Sequence, residues 1–384
     1  MAISIVLPLV ALALSAPAFA LHGSAYQKDL ISDGKKWDFE WGYSGINTFG
    51  HLPHIKCLTN QNTAFDMAVI GVPFDTAVSF RPGARFGPRA IRSASARHLP
   101  SRGFNTYAGI NPYMDWAKII DCGDVPVTPF DNDLALKQMT EALTEVGSMP
   151  SNPGNPDPPK LLILGGDHSI ALPALRALNK VHGQPMAVVH FDAHLDTLHP
   201  HSYPSQWSSE QTEYTHGSMF YQAYAAGLVK QNSSIHVGLR TRLTGVDFKD
   251  YQHDDTQGYI RLSTEDIDEM GPQGIADAIL ARVGADTPVY LSIDIDVIDP
   301  SICPGTGAPE TGGWTMREMN KILRGLREIN VVGADIVEVS PAYDDKGEGT
   351  GYAAAQIAYE IMTSWVVRGK KTFKKEQADI KTEL

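Results

Sequence analysis

Pro185-Met186-Ala187-Val188-Val189-His190-Phe191-Asp192-Ala193-His194-Leu195-Asp196 passes from an unbroken apolar run into four ionisable side chains. A run that is apolar on both alternations is the pattern of a strand buried on both faces, as in a parallel sheet. Its ionisable end then lies at the carboxyl edge of the sheet, where open α/β folds place their sites. Two further runs end the same way. Val289-Tyr290-Leu291-Ser292-Ile293 leads into Asp294-Ile295-Asp296, and residues 161–164 lead into Gly165-Gly166-Asp167-His168. Residues two apart on a strand share a face. Asp192 with His194, and Asp294 with Asp296, are therefore expected to project together. Carboxylates and imidazoles crowded at buried strand ends repel or stay desolvated without a cation. The set reads as a site for two hard divalent metals.

The remaining chain fits that frame. Of 384 residues, 43% are hydrophobic and 20% charged, enough to bury a large core. β-rich runs at 67–72, 117–121, 161–164, 186–191, 234–239, 289–293 and 331–337 alternate with helical patterns. Those patterns fall at 88–98, 134–146, 170–182, 218–226, 264–282, 315–329 and 352–367. This alternation predicts an α/β fold, a three-layer αβα arrangement around a mostly parallel sheet. The proline- and asparagine-rich stretch 148–159 reads as a surface loop, and 197–214 as a loop rimming the pocket.

Residues 1–20 carry no charged side chain or histidine, have an apolar core at 3–13, and end Ala18-Phe19-Ala20. This is the pattern of a secretory signal peptide cut after Ala20. An N-terminal arm is expected over 21–64, with Trp37, Phe39, Trp41 and Tyr43 packed in it. A catalytic domain follows at 65–367, then a basic, exposed tail at 368–384. Membrane association after signal cleavage is not expected. The terminal Lys381-Thr382-Glu383-Leu384 is one residue away from an ER-retrieval signal, leaving secretion and retention both open. A net charge of −12 speaks against nucleic acid and favours a cationic small molecule. Three cysteines, Cys57, Cys122 and Cys303, leave at least one unpaired within the chain; Cys303 is given no role. Asn232-Ser233-Ser234 is the single glycosylation sequon. Gly347-Glu348-Gly349-Thr350-Gly351 reads as the turn opening the last helix rather than a phosphate loop.

Taken together, the motifs resemble those of the ureohydrolases, manganese enzymes that include arginase, agmatinase and guanidinobutyrase. The resemblance rests on Gly165–Ser169, Phe191–Asp196 and the run Ser292-Ile293-Asp294-Ile295-Asp296-Val297-Ile298-Asp299-Pro300. It extends to residues 81–88, 304–309 and 338–344, in the family's order over about 65–365. It implies two Mn²⁺ ions per subunit sharing Asp192 and Asp294. His168 and Asp196 would complete one ion's shell, and His194 and Asp296 the other's. The implied chemistry is hydroxide bridging two metals and attacking a guanidinium carbon, which is otherwise a poor electrophile. Glu338 would clamp the guanidinium, while His216 and Asp196 would relay protons. Asp75, Arg81 and Arg85 would shape the fold and subunit contacts. The family also implies a homo-oligomer, trimer or hexamer. The segments around His216 and Glu338 are similar to those of agmatinases, making agmatine hydrolysis to putrescine and urea the expectation. Conversion of 4-guanidinobutyrate to 4-aminobutyrate and urea stays open. Arginase activity, a formimino or other amidino hydrolase, and an inactive metal-binding member stand behind these. The choice lies at the pocket's far end, for which His199, His201, Trp207, Glu213 and Glu310 are candidates.

Overall fold

The computed structural model describes residues 40–202 and 209–383, with side chains through Thr372 apart from that of Glu210. The segment read as a signal peptide, Trp37, Phe39 and Trp207 lie outside the described residues. Residues 40–44 belong to a unit separate from the rest, in which the rings of Trp41 and Tyr43 stack at 6.1 Å.

Gly45 onward forms the second unit. Its strands are β1 (Met67–Val72), β2 (Ile119–Asp124), β3 (Lys160–Gly165), β4 (Ala187–Phe191), β5 (Ser234–Leu239), β6 (Tyr259–Ser263), β7 (Pro288–Asp294) and β8 (Asn330–Val337). They form one sheet in the order β2-β1-β3-β8-β7-β4-β5-β6, and every pairing is parallel. Parallel neighbours need crossovers, which the helices supply. These are α1 (Gly87–Ser95), α2 (Asn132–Gly147), α3 (Ala171–His182), α4 (Glu210–Glu213), α5 (Met219–Ala225), α6 (Lys249–Thr256), α7 (Asp266–Val283), α8 (Met316–Gly325) and α9 (Gly349–Glu383).

Alternate residues of each central strand enter two separate cores. Met67, Val69, Leu162, Leu164, Val189 and Phe191 pack with α1, α7, α8 and α9. Ala68, Ile70, Leu161, Ile163 and Val188 pack with α2, α3 and α5. The expected three-layer αβα architecture is therefore the one observed, with all strands parallel.

Differences from the sequence reading have local causes. Strand β6 was not foreseen: it is an edge strand whose Ile260 and Ser263 are exposed, so no apolar run marks it. Helix α6 was also missed, because Asp254 is its one buried residue. Helix α7 breaks at Gly271, where φ is +66°, immediately before Pro272. The tail from Arg368 continues α9, with Lys371 and Thr372 exposed as expected but its first residues partly covered. Gly369 packs so closely on Trp116 that a Cβ there would lie 2.2 Å from the indole, and Lys370 Nζ reaches Asp115 at 2.8 Å. No helix among the described residues is long and apolar enough to cross a membrane.

Cys57 and Cys122 form a disulfide, and Cys303 is the buried free thiol. The bond fastens the segment before β1 to the edge strand β2. Phe49 N and Arg92 Nε, each 2.8 Å from Asp121 Oδ2, reinforce the same corner. Closing a loop of 65 residues restricts the unfolded chain by up to about 4 kcal/mol. Reduction should lower the urea midpoint by an amount equivalent to about 2–4 kcal/mol, with a somewhat steeper slope because the freed unfolded chain exposes more surface. An unmoved midpoint would deny the bond that role.

Candidate metal centre and pocket

Four neighbouring strands, β3, β8, β7 and β4, end side by side. His168 follows β3, Glu338 follows β8, Asp294 closes β7 and Asp192 follows β4. The chain can turn at β3 because residue 166 is glycine: a Cβ there would lie 1.7 Å from Phe74 O. Gly166 O then accepts from Glu338 N at 2.9 Å. Both Asp196 and Glu338 hold left-handed backbone conformations, at φ +56° and +61°. Such strain in non-glycine residues gathers where function over-determines the backbone.

The expected ligands converge, though not for the reason the strand period suggests. Asp192 and Asp296 lie beyond the ends of β4 and β7, and turns bring the pairs together. Asp294 caps the short turn Ile295–Val297, its Oδ1 accepting from Asp296 N at 2.8 Å. His168 Nδ1 lies 3.0 Å from Asp192 Oδ2, 3.1 Å from Asp196 Oδ2 and 3.3 Å from Asp294 Oδ2. His194 Nδ1 lies 3.2 Å from Asp192 Oδ1 and 3.0 Å from Asp296 Oδ2. Two clusters result, His168/His190/Asp192/Asp196 and Asp192/His194/Asp296. Asp192 belongs to both, with one oxygen facing each. Asp294 approaches the His168 side. His190, quoted in the sequence motif but given no part, comes within 2.9 Å of Asp192 Oδ2 through Nε2.

The donor set fits divalent cations. His168 Nδ1 is buried without a hydrogen-bond partner, while its Nε2 lies 2.8 Å from Ser292 Oγ. Ser292 donates its one proton to Asp335 at 2.8 Å, and Tyr290 OH donates to the same carboxylate. Nε2 must therefore carry the imidazole proton, which leaves the Nδ1 lone pair aimed at the carboxylates. Imidazole and carboxylate donors without thiolate suit manganese-like ions rather than a structural zinc.

Electrostatics point the same way. Burial and then the Asp296 and Asp192 charges push Asp294 well above the carboxylate range, and burial with Asp192 lifts Asp296 to about 6. Burial opposes charge on His168 and His194, yet their carboxylate partners raise both well above the ordinary histidine value. Burial takes His190 down to about 4.

Glu338 is nearly buried. Its Oε1 accepts from His168 N at 2.9 Å and lies 3.2 Å from His216 Nδ1. Ser79 N donates to His216 Nε2 at 3.0 Å, so the neutral ring carries its proton at Nδ1, toward Glu338. Burial disfavours charge on His216, but Glu338, Asp196 and Asp167 outweigh it and lift the ring to about 9. Arg81 anchors the adjoining loop through Thr306 O and Gly307 O, at 3.0 and 2.9 Å, and lies over Tyr343. Arg85 pairs with Asp75.

His194, Asp196, His216, Asp294, Asp296 and Glu338 line a cavity of about 230 Å³. Its far wall is Thr241, Arg242, Leu243, Thr244, Asp250 and Tyr251, none foreseen. Of the five residues proposed for that wall, His199 packs against Tyr221 and His253, His201 packs against His199, and Glu213 and Glu310 lie off the cavity. The fifth, Trp207, is outside the described residues. From the loop 197–214, Leu198 is the lining residue among those described. The one available signal was position: residues 241–251 directly follow β5, whose end lies at the same sheet edge. Arg240 was also missed; it donates to Glu310 O at 2.8 Å and to Asp296 O, pinning the loop that carries a ligand.

The arginase family model matches residues 65–364. "Putative agmatinase 3" of Schizosaccharomyces pombe is 46% identical over 334 residues, covering 84% of this chain and 80% of that protein. "Putative agmatinase 1" of the same yeast is 46% identical over 345 residues, covering 88% and 85%. The structure of proclavaminate amidino hydrolase from Streptomyces clavuligerus superposes with TM-score 0.74 at 35% identity, covering 86% of this chain and all of that one.

A divalent cation and a ring proton compete for the same Nδ1 lone pair on His168 and on His194. Metal uptake near neutral pH should therefore release protons, and affinity should fall as pH falls. Titration calorimetry in buffers of different ionisation enthalpy reads this directly; identical heats would contradict it. Asp192→Asn should weaken both ions, whereas Asp296→Asn should weaken one, as measured by metal content.

Proposed function

The chain belongs to the arginase family and is a ureohydrolase acting on C–N bonds, and from that premise we propose manganese-dependent hydrolysis of agmatine to putrescine and urea. The observation that carries this reading is the pair of clusters joined through Asp192 beneath a cavity whose floor also presents Glu338. His168, Asp192, His194, Asp196, Asp294 and Asp296 would hold two Mn²⁺ ions. Those ions, when bound, supply a water acidic enough to deprotonate at neutral pH.

The chain's own groups account for the rest. Glu338 is a buried carboxylate whose free positions face the pocket, and a guanidinium satisfies it with paired charge-assisted hydrogen bonds. A Cβ at Gly307 would lie 3.6 Å from Glu338 Oε2, so the glycine keeps that approach open. Arrival of the cation cancels the pull of Glu338 on His216, freeing its ring to move a proton at Nδ1. Asp196 would pass a proton to the departing amine, a role its place in the cavity lining, 3.1 Å from His168, supports.

At the rim, Asp250 offers the agmatine amine a carboxylate. A second reading has its own observation. Arg242 lines the same wall and has no ion-pair partner among the described residues, which favours a carboxylate tail such as that of 4-guanidinobutyrate.

Urea release with manganese should be measured on agmatine, 4-guanidinobutyrate and arginine side by side. Agmatine is expected to give the highest kcat/KM, and preference for arginine would reject the assignment. Glu338→Gln should lower kcat/KM by about a hundredfold or more on the preferred substrate, because an uncompensated buried partner costs several kcal/mol. Arg242→Met should leave the agmatine KM unchanged; a rise confined to 4-guanidinobutyrate would mark that acid as bound through Arg242.

We also propose entry into the secretory pathway and assembly into a trimer or hexamer. The disulfide supports the first, since such bonds persist in oxidising compartments. Reduced Cys57 and Cys122 in protein taken directly from its own cells would contradict it, and light scattering reads the second.

A further inference from the structure

Behind the candidate metal centre, a chain of buried polar groups leads away from Asp192 and is used by no step above. His190 Nε2 lies 2.9 Å from Asp192 Oδ2. His190 Nδ1 lies 2.7 Å from His236 Nδ1, across the β4–β5 pairing in which the two residues are register partners. His236 Nε2 lies 3.0 Å from Asp254 Oδ1. Asp254 is on α6 and also accepts from Thr197 Oγ1 at 2.9 Å and from Arg261 Nη1. Both imidazoles and both carboxylates are fully buried.

Counting protons fixes the arrangement. Carboxylates accept, so each Nε2 must donate, His190 to Asp192 and His236 to Asp254. Two Nδ1 lone pairs cannot face each other at 2.7 Å, so one further proton lies between them. That proton couples the two rings, and a carboxylate accepts at either end of the chain.

We propose that His236 and Asp254 are positioning residues for the metal centre: through His190 they fix the direction of the carboxylate shared by both clusters. The donor at Asp192 Oδ2 holds that oxygen toward the His168 side and leaves Oδ1 to face His194. Orientation of this kind, supplied from behind a ligand, is worth about 10–100-fold in metal affinity. The inference rests on the metal reading above, and its test separates the two.

The probe is Mn²⁺ alone, with affinity for the full chain read by chelator competition and free Mn²⁺ by electron paramagnetic resonance. His236→Phe keeps a ring to stack on Tyr259, which lies 4.2 Å from the native imidazole, but removes both hydrogen bonds. It should bind Mn²⁺ about 10–100-fold more weakly, with an unchanged circular dichroism spectrum. His236→Gln restores a donor to His190 Nδ1 and should recover most of that loss. Wild-type affinity in His236→Phe, or a His236→Gln as weak as the phenylalanine variant, would overturn the proposal. If His236→Phe does not fold, Asp254→Asn decides: weakened binding supports the assignment and unchanged binding refutes it. A wild-type chain that binds no Mn²⁺ would instead remove the metal reading itself.

Discussion

Carboxylates gathered out of water at the ends of four adjacent strands are the constraint on which the rest of the structure depends. Asp192, Asp294, Asp296 and Glu338 are each at most 5% exposed, and Asp196 is 8% exposed. At such burial their mutual repulsion is poorly screened, and two imidazoles alone leave the cluster with excess negative charge. The fold accepts this because most of its remaining residues work against dispersal. Eight parallel strands hold the four ends in fixed register, and two apolar cores clamp the sheet from both faces. The left-handed backbone at Asp196 and Glu338 costs on the order of 1–3 kcal/mol each. Glu338 N to Gly166 O and Phe220 N to Asp196 O are among the bonds that offset it.

The sequence was legible where burial makes it repetitive. Central strands of a parallel sheet are apolar on both faces, so β1, β3, β4, β5, β7 and β8 announce themselves. The sudden change to ionisable residues at their ends marks the site. Strand β6 and helix α6 lack this signal, one lying at the sheet's edge and the other almost wholly solvated. Convergence of the ligands was anticipated from strand alternation, yet the backbone leaves the strand before Asp192 and before Asp296, and capping turns complete the geometry. The relation between His190 and His236 could not be read from one sequence, because register between strands 46 residues apart is a property of packing.

Floor and rim obey different rules. The floor is built from strand ends whose positions vary little once the sheet exists, so the buried Glu338 carboxylate lies beside the His168 cluster whatever the loops above do. The rim comes from connections after β4 and β5, whose polar residues have no periodicity to betray their direction. Reaction class therefore emerges from short motifs, while the wall that carries Arg242 and Asp250 has no such signal. Asp250 Oδ2 already accepts from Thr244 N at 2.6 Å, which ties the carboxylate to the wall it would use.

Helix α6 joins these two regimes. One part of its surface gives Asp250 and Tyr251 to the pocket; one turn on, Asp254 reaches inward to His236 and Thr197. Thr197 directly follows Asp196, and Gln257 Nε2 holds Thr197 O at 2.8 Å. A single short helix is thus bound to the segment carrying one ligand and, through two imidazoles, to the shared ligand itself. Beyond these bonds, the helix is held by His253 against His199 and Tyr221 and by Tyr251 beneath the Arg261 guanidinium. Part of its position therefore comes from the hydrogen bonds that lead to the candidate centre. Any displacement of α6 at the pocket wall would consequently be felt at Asp192 through His236 and His190, and beside Asp196 through Thr197.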